Sequence, residues 1–101
     1  MKVDVAALGT TRKLLGFSQQ KVEFAGGTVA DLLRQLETND GRDLYANLVC
    51  HGRLREDFAV LVNGLTVKAD QLESPLDEGD QVVTMAILRH LHRAWRDRAG
   101  D

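Results

Sequence analysis

Phe58-Ala59-Val60-Leu61-Val62-Asn63-Gly64 and, ten residues on, Ser74-Pro75-Leu76-Asp77-Glu78-Gly79-Asp80-Gln81-Val82-Val83 decide how the rest of this chain is read. Phe58 to Val62 is apolar at every position, so it reads as a strand buried on both faces. Asn63-Gly64 is a strong turn signal, and Leu65 to Lys68 reads as a short return strand. Pro75 and Gly79 mark a second turn region over Ser74 to Asp80. Gln81 to Leu88 is again apolar on both faces and reads as a second central strand.

Upstream, Lys2 to Leu8 alternates, with Val3, Val5 and Ala7 on one face, and predicts a strand. Gly9 to Gly16 is a connection with helical character around Leu14 and Leu15. Gln20 to Phe24 predicts a second strand, so the two form a hairpin. Gly26-Gly27 breaks the pattern. Thr28 then suits a helix N-cap, with Asp31 three residues on completing a capping box. Val29, Leu32, Leu33 and Leu36 fall at i, i+3, i+4 and i+7, the stripe of an amphipathic helix that Asn39-Asp40-Gly41 is expected to end. In residues 42–57, Leu44, Leu48 and Val49 line a short helix that Gly52 stops. The expected architecture is α+β: a mixed sheet of four to five strands packed on one main helix.

The 101 residues suit one domain, with 44% apolar and 28% charged residues typical of a globular chain. A single cysteine, Cys50, excludes an internal disulfide and suits a reducing compartment. Met1 to Leu8 lacks the apolar core of a signal peptide, and no apolar run approaches a membrane span, so the expectation is a cytoplasmic protein. The net charge of −2 is uneven: residues 88–101 carry four arginines and two aspartates, net +2, which leaves residues 1–87 at −4. An acidic body argues against nucleic-acid binding, which needs a cationic face.

Three segments together resemble the MoaD/ThiS sulfur carriers, a ubiquitin-like β-grasp family. They are Gly9-Thr10-Thr11-Arg12-Lys13-Leu14-Leu15-Gly16, then Gly27-Thr28-Val29-Ala30-Asp31-Leu32-Leu33, and then the two stretches quoted at the outset. The resemblance covers roughly residues 1–88. It implies a protein serving molybdopterin or thiamine biosynthesis like the small subunit of molybdopterin synthase; the sequence has no Walker A loop, dinucleotide fingerprint or Gly-x-Ser-x-Gly motif, so it is not expected to be an enzyme itself or to hold a cofactor or metal. In such carriers a flexible C-terminal Gly-Gly ends in a carboxylate that an adenylating enzyme activates with ATP. A sulfur donor converts it to a thiocarboxylate, and a second enzyme, such as the molybdopterin synthase catalytic subunit, takes the sulfur. The sequence departs from this pattern at its tail. His90-Leu91 stand about where the glycines belong, the last residues are Ala99-Gly100-Asp101, and the one Gly-Gly pair is internal at 26–27.

Residues 1–88 are thus expected to form the β-grasp domain and residues 89–101 a C-terminal helical extension. Leu88, Leu91 and Trp95 give that extension a narrow apolar stripe. The stripe fits three roles: packing on its own sheet, anchoring in a partner's groove, or self-association. A non-conjugating β-grasp adaptor that docks through this helix is therefore the rival to the carrier reading. Other chemistry is thinly supported. Adjacent Cys50 and His51 point apart on a regular element, and Cys50 is expected to be buried or half-buried. His90 and His92 lack the i, i+4 spacing of a helical metal pair. The acid runs Glu56-Asp57 and Asp77 to Asp80 read as solvated loops.

Overall fold

The computed structural model describes residues 1–87. Strand β1 (Lys2–Leu8) leads through a short helix α1 (Thr10–Leu15) into β2 (Gln19–Glu23), followed by the main helix α2 (Val29–Gln35) and a second short helix α3 (Leu44–Leu48). Two small strands, β3 (Val49–Cys50) and β4 (Arg53–Leu54), precede β5 (Phe58–Val62), β6 (Leu65–Thr66) and β7 (Gln81–Ala86). Five strands form one mixed sheet in the order β2-β1-β7-β5-β6, and β3 with β4 forms a separate ribbon. β7 runs parallel to β1, in the register Val5 to Val82, and antiparallel to β5, in the register Val60 to Thr84. The expected β-grasp architecture is present.

The core lies between one face of this sheet and the helices. Val3, Val5, Val60 and Val82 supply the sheet side, and Val29, Leu32, Leu33, Leu44 and Leu48 the helical side; all are almost completely shielded from solvent. Alternation does this work on the strands, and the i, i+3, i+4 spacing does it on α2. The N-terminus of α2 is fixed as the sequence foretold. Thr28 Oγ1 accepts from the Asp31 amide, and the Asp31 carboxylate accepts from the Thr28 amide. Gly27 sits at φ +133°, and a Cβ there would run into the Asp31 carboxylate, so the second glycine of the internal pair serves this cap.

Several expectations change. α2 ends at Gln35, because Leu36 is extended and its carbonyl accepts from the Leu44 amide. Asn39-Asp40-Gly41 therefore closes a turn between paired segments, with Thr38 N–H donating to the Arg42 carbonyl, rather than stopping a helix. Val49 leaves the α3 helix and enters a ribbon turned by His51 and Gly52, both at positive φ. The strand Leu65 to Lys68 shortens to Leu65–Thr66. Cys50 is exposed, correcting the expectation of a buried thiol: alternation in the ribbon points Val49 inward and Cys50 outward.

The largest correction concerns the strands read as buried on both faces. In β5 only Val60 is fully buried, and in β7 only Val82 and Thr84 are. The described helices cover a single face of the sheet, so Leu61, Val83 and Met85 remain half-exposed on the other. The expected extension at residues 89–101, with Leu88, Leu91 and Trp95, lies outside the described residues.

Truncating a fully buried α2 side chain tests this packing. Leu33→Ala should cost roughly 2–5 kcal/mol, read from urea denaturation. A loss within experimental error would mean that α2 does not face the core.

Candidate functional site

The register of the strands lays out the open face row by row. Ala6 on β1 lies beside Val83 on β7, which lies beside Leu61 on β5. The next row is Leu8, Met85 and Ala59. Ile87 follows in the same alternation, with its amide bonded to the Asp57 carbonyl. Leu8 and Ile87 are 49% and 38% exposed. The preceding row is polar, with Lys21, Asp4 and Gln81 side by side. The face therefore grades from charged, where β7 begins, to apolar, where β7 ends and the chain passes to residue 88.

Short helix α1 borders the apolar end. Gly9 lies against Ala86, and Arg12 and Lys13 stand exposed beyond it. The join is fixed by Thr11, a fully buried residue whose hydroxyl lies 2.7 Å from the Leu8 carbonyl and 2.9 Å from the Thr84 carbonyl. One hydroxyl has a single proton to donate, so it shares it between two backbone acceptors of adjacent strands. This ties the exit of β1 to β7 just before the chain leaves the sheet.

The motif that carried the resemblance performs a different task at the opposite end. Asn63 Nδ2 donates to Asp80 Oδ1 at 3.0 Å, while Asn63 Oδ1 accepts from the Gln81 amide at 2.9 Å. The other Asp80 oxygen accepts from the Asp77 amide at 2.8 Å. Asn63 and Gly64 both have positive φ and turn β5 into β6 in two residues. Glu78 accepts from the Lys2 amide. These residues lock the start of β7, about 17–20 Å along the strand from its end. Within the acid run Asp77 to Asp80, the Glu78 and Asp80 carboxylates are engaged in hydrogen bonds that hold this end of the sheet.

Cys50 and His51 sit on the β3–β4 ribbon, apart from the apolar face. Among the described residues no three His, Cys, Asp or Glu side chains converge as a metal site requires. His90 and His92 lie outside them. Sequence reasoning did not find the apolar face as a site. Its signal was present in the double-sided apolar pattern of β5 and β7 together with Ala6 and Leu8. That pattern reads as burial unless one knows that only one face is covered.

A family model for ThiS matches residues 5–87, the whole described sheet but for its first few residues. The chain belongs to the ThiS family. ThiS-like proteins are small ubiquitin-like sulfur carriers rather than catalytic enzymes, and the fold accords with solved relatives. The Haloferax volcanii HVO 2177 protein is 30% identical with a TM-score of 0.69, over 87% of this chain and 84% of that one. A putative molybdopterin converting factor, subunit 1, from Pyrococcus furiosus is 25% identical with a TM-score of 0.64, over 87% and 99%. A chain of the Amycolatopsis orientalis BexX/CysO complex is 25% identical with a TM-score of 0.67, over 85% and 96%. No curated protein sequence matched.

The Asp80 cluster makes a pH prediction for this ThiS-family chain. The Asp77 amide, then the Asn63 side chain, hold the Asp80 carboxyl below its ordinary range. A carboxylate with a depressed folded pKa stabilises fully above about pH 4 and loses that contribution as pH falls through the folded value. Asp80→Asn should therefore narrow the gap between urea midpoints measured near neutrality and near pH 3. The gap that remains should reflect Asp31 and Asp40, whose carboxyls are also lowered, by hydrogen bonds from Thr28 and Thr38 respectively. An unchanged gap would rule out Asp80 as a contributor.

Proposed function

We propose that this chain acts as a sulfur-carrier-like protein of molybdopterin or thiamine biosynthesis, in the manner of the small subunit of molybdopterin synthase. The observation that carries the reading is the apolar strip of Ala6, Leu8, Ala59, Leu61, Val83 and Met85, which ends where β7 hands the chain to residue 88. A carrier must offer its tail to an enzyme while its body is gripped. A docking face contiguous with the tail's root achieves both, because apolar contact there fixes the direction in which the tail departs. The partners are an adenylating enzyme and a sulfur-accepting catalytic subunit. Leu88, Leu91 and Trp95 extend the same contact into the partner's groove, and the cytoplasm supplies the reducing setting for a thiocarboxylate. The complex of CysO with BexX is a relative's example of such a carrier with a partner.

The rival reading is a non-conjugating β-grasp adaptor that kept the fold and lost the chemistry, docking through its C-terminal helix together with this face. The observation that favours it is the same apolar face, which can dock a partner with no chemistry at the tail. Both readings use the same docking face, and they part over the chain's end.

Intact mass of the protein from its native cells, with the pathway active, separates them. A fraction shortened at the tail, or with one carboxylate oxygen replaced by sulfur, supports the carrier. A population that is wholly full-length and unmodified eliminates it and leaves the adaptor. Met85→Glu, on the open face, should keep the fold and weaken partner binding at least about tenfold. Unaltered binding would remove the strip from either account.

A further inference from the structure

The free edge of the sheet at β2 carries a pattern that neither reading uses. β1 and β2 pair so that the amides and carbonyls of Gln20 and Val22 face β1, in phase with the bonds Ala7 N–H to the Ser18 carbonyl and Phe24 N–H to the Met1 carbonyl. The main-chain groups of Gln19, Lys21 and Glu23 therefore point away from the sheet, and among the described residues β2 has no second neighbour. Among the described residues, the Gln35 side chain reaches one of them, the Glu23 carbonyl. That oxygen has a second lone pair to offer.

We infer that β2 is the contact of a two-fold homodimer, in which Lys21 of one copy lies opposite Glu23 of the other. The two-fold axis passes beside Val22. Lys21 and Glu23 have outward main-chain groups of the correct phase, so each exchanges both hydrogen bonds with its opposite number. The side chains then fall into ladders. Within one copy Asp4 already lies opposite Lys21, and Lys2 opposite Glu23. Across the dimer, one row reads Asp4, Lys21, then Glu23 and Lys2 of the second copy, with signs alternating throughout. The two-fold repeats the row in reverse. Unlike charges directly opposite one another on a sheet attract, and like charges repel.

Lysine on an edge strand ordinarily guards against unwanted pairing. Here it selects a register. Centring the pair on Lys21 would set lysine on lysine, whereas the shift of one residue, to Val22, sets lysine on glutamate twice. Val22, half-buried on the helix side, meets its own counterpart there. The contact is at the far edge from β5, so it leaves the apolar strip of both copies open to a partner and is independent of the proposed function.

Charge reversal tests the inference by sedimentation equilibrium of the full chain. The protein should form a salt-sensitive dimer. Lys21→Glu alone and Glu23→Lys alone should each weaken association by about tenfold or more, because each places like charges opposite one another twice. An equimolar mixture of the two variants should dimerise again, since each copy then meets its opposite sign. Lys21→Pro, which deletes an outward amide unused by the monomer's sheet, should stay folded by circular dichroism and be monomeric. A wild-type protein that stays monomeric at every concentration overturns the proposal. So does a dimer that survives both single reversals, or a mixture that fails to reassociate while both variants remain folded.

Discussion

Everything in this fold hangs on β7 lying between β1 and β5. The first and last described strands of the chain are neighbours, in parallel, and among the described strands the two hairpins β1–β2 and β5–β6 are joined to each other in the sheet only through β7. Parallel neighbours cannot be joined by a tight turn, so the intervening residues must cross over, and α2 and α3 use that crossover to cover the sheet. The Asn63–Asp80 cluster sets where β7 begins, and Thr11 secures it near its end. The site inherits its position from the same constraint, because the strand at the centre of the sheet is also the one that delivers the tail.

Much of this was legible in the sequence, for identifiable reasons. The capping box at Thr28 and Asp31, the Asn63-Gly64 turn and the alternation of β1 are local signals that depend on nearest neighbours, and each formed as read. Boundaries set by tertiary pairing were not legible. Leu36 has the helical spacing and is buried, yet its backbone is claimed by Leu44 across a turn. The ribbon of β3 and β4 is two residues a side, too short for any periodicity to show. Cys50 followed from that ribbon and could not be placed without it.

The candidate site was visible in the residues and invisible in their meaning. A strand apolar on both faces is ordinarily a strand covered on both faces. Here the described layers number two, one sheet and one set of helices, and the second apolar face of β5 and β7 has no described cover. The motif that most resembled a known family had the converse fate. Its asparagine, glycines and aspartate hold the sheet's far end, which explains why it reports the fold faithfully.

The central place of β7 also has a mechanical consequence. A pull on the chain beyond Ile87 acts along β7, and its hydrogen bonds to β1 on one side and β5 on the other lie across the direction of that pull. Both ladders are loaded at once, in shear, instead of being unzipped bond by bond from an edge. Forced unfolding is governed by the height of the barrier rather than by equilibrium stability. A machine that draws the protein in by its tail would therefore meet the strongest part of the sheet first, whereas one that seized it by β2 would meet a single ladder.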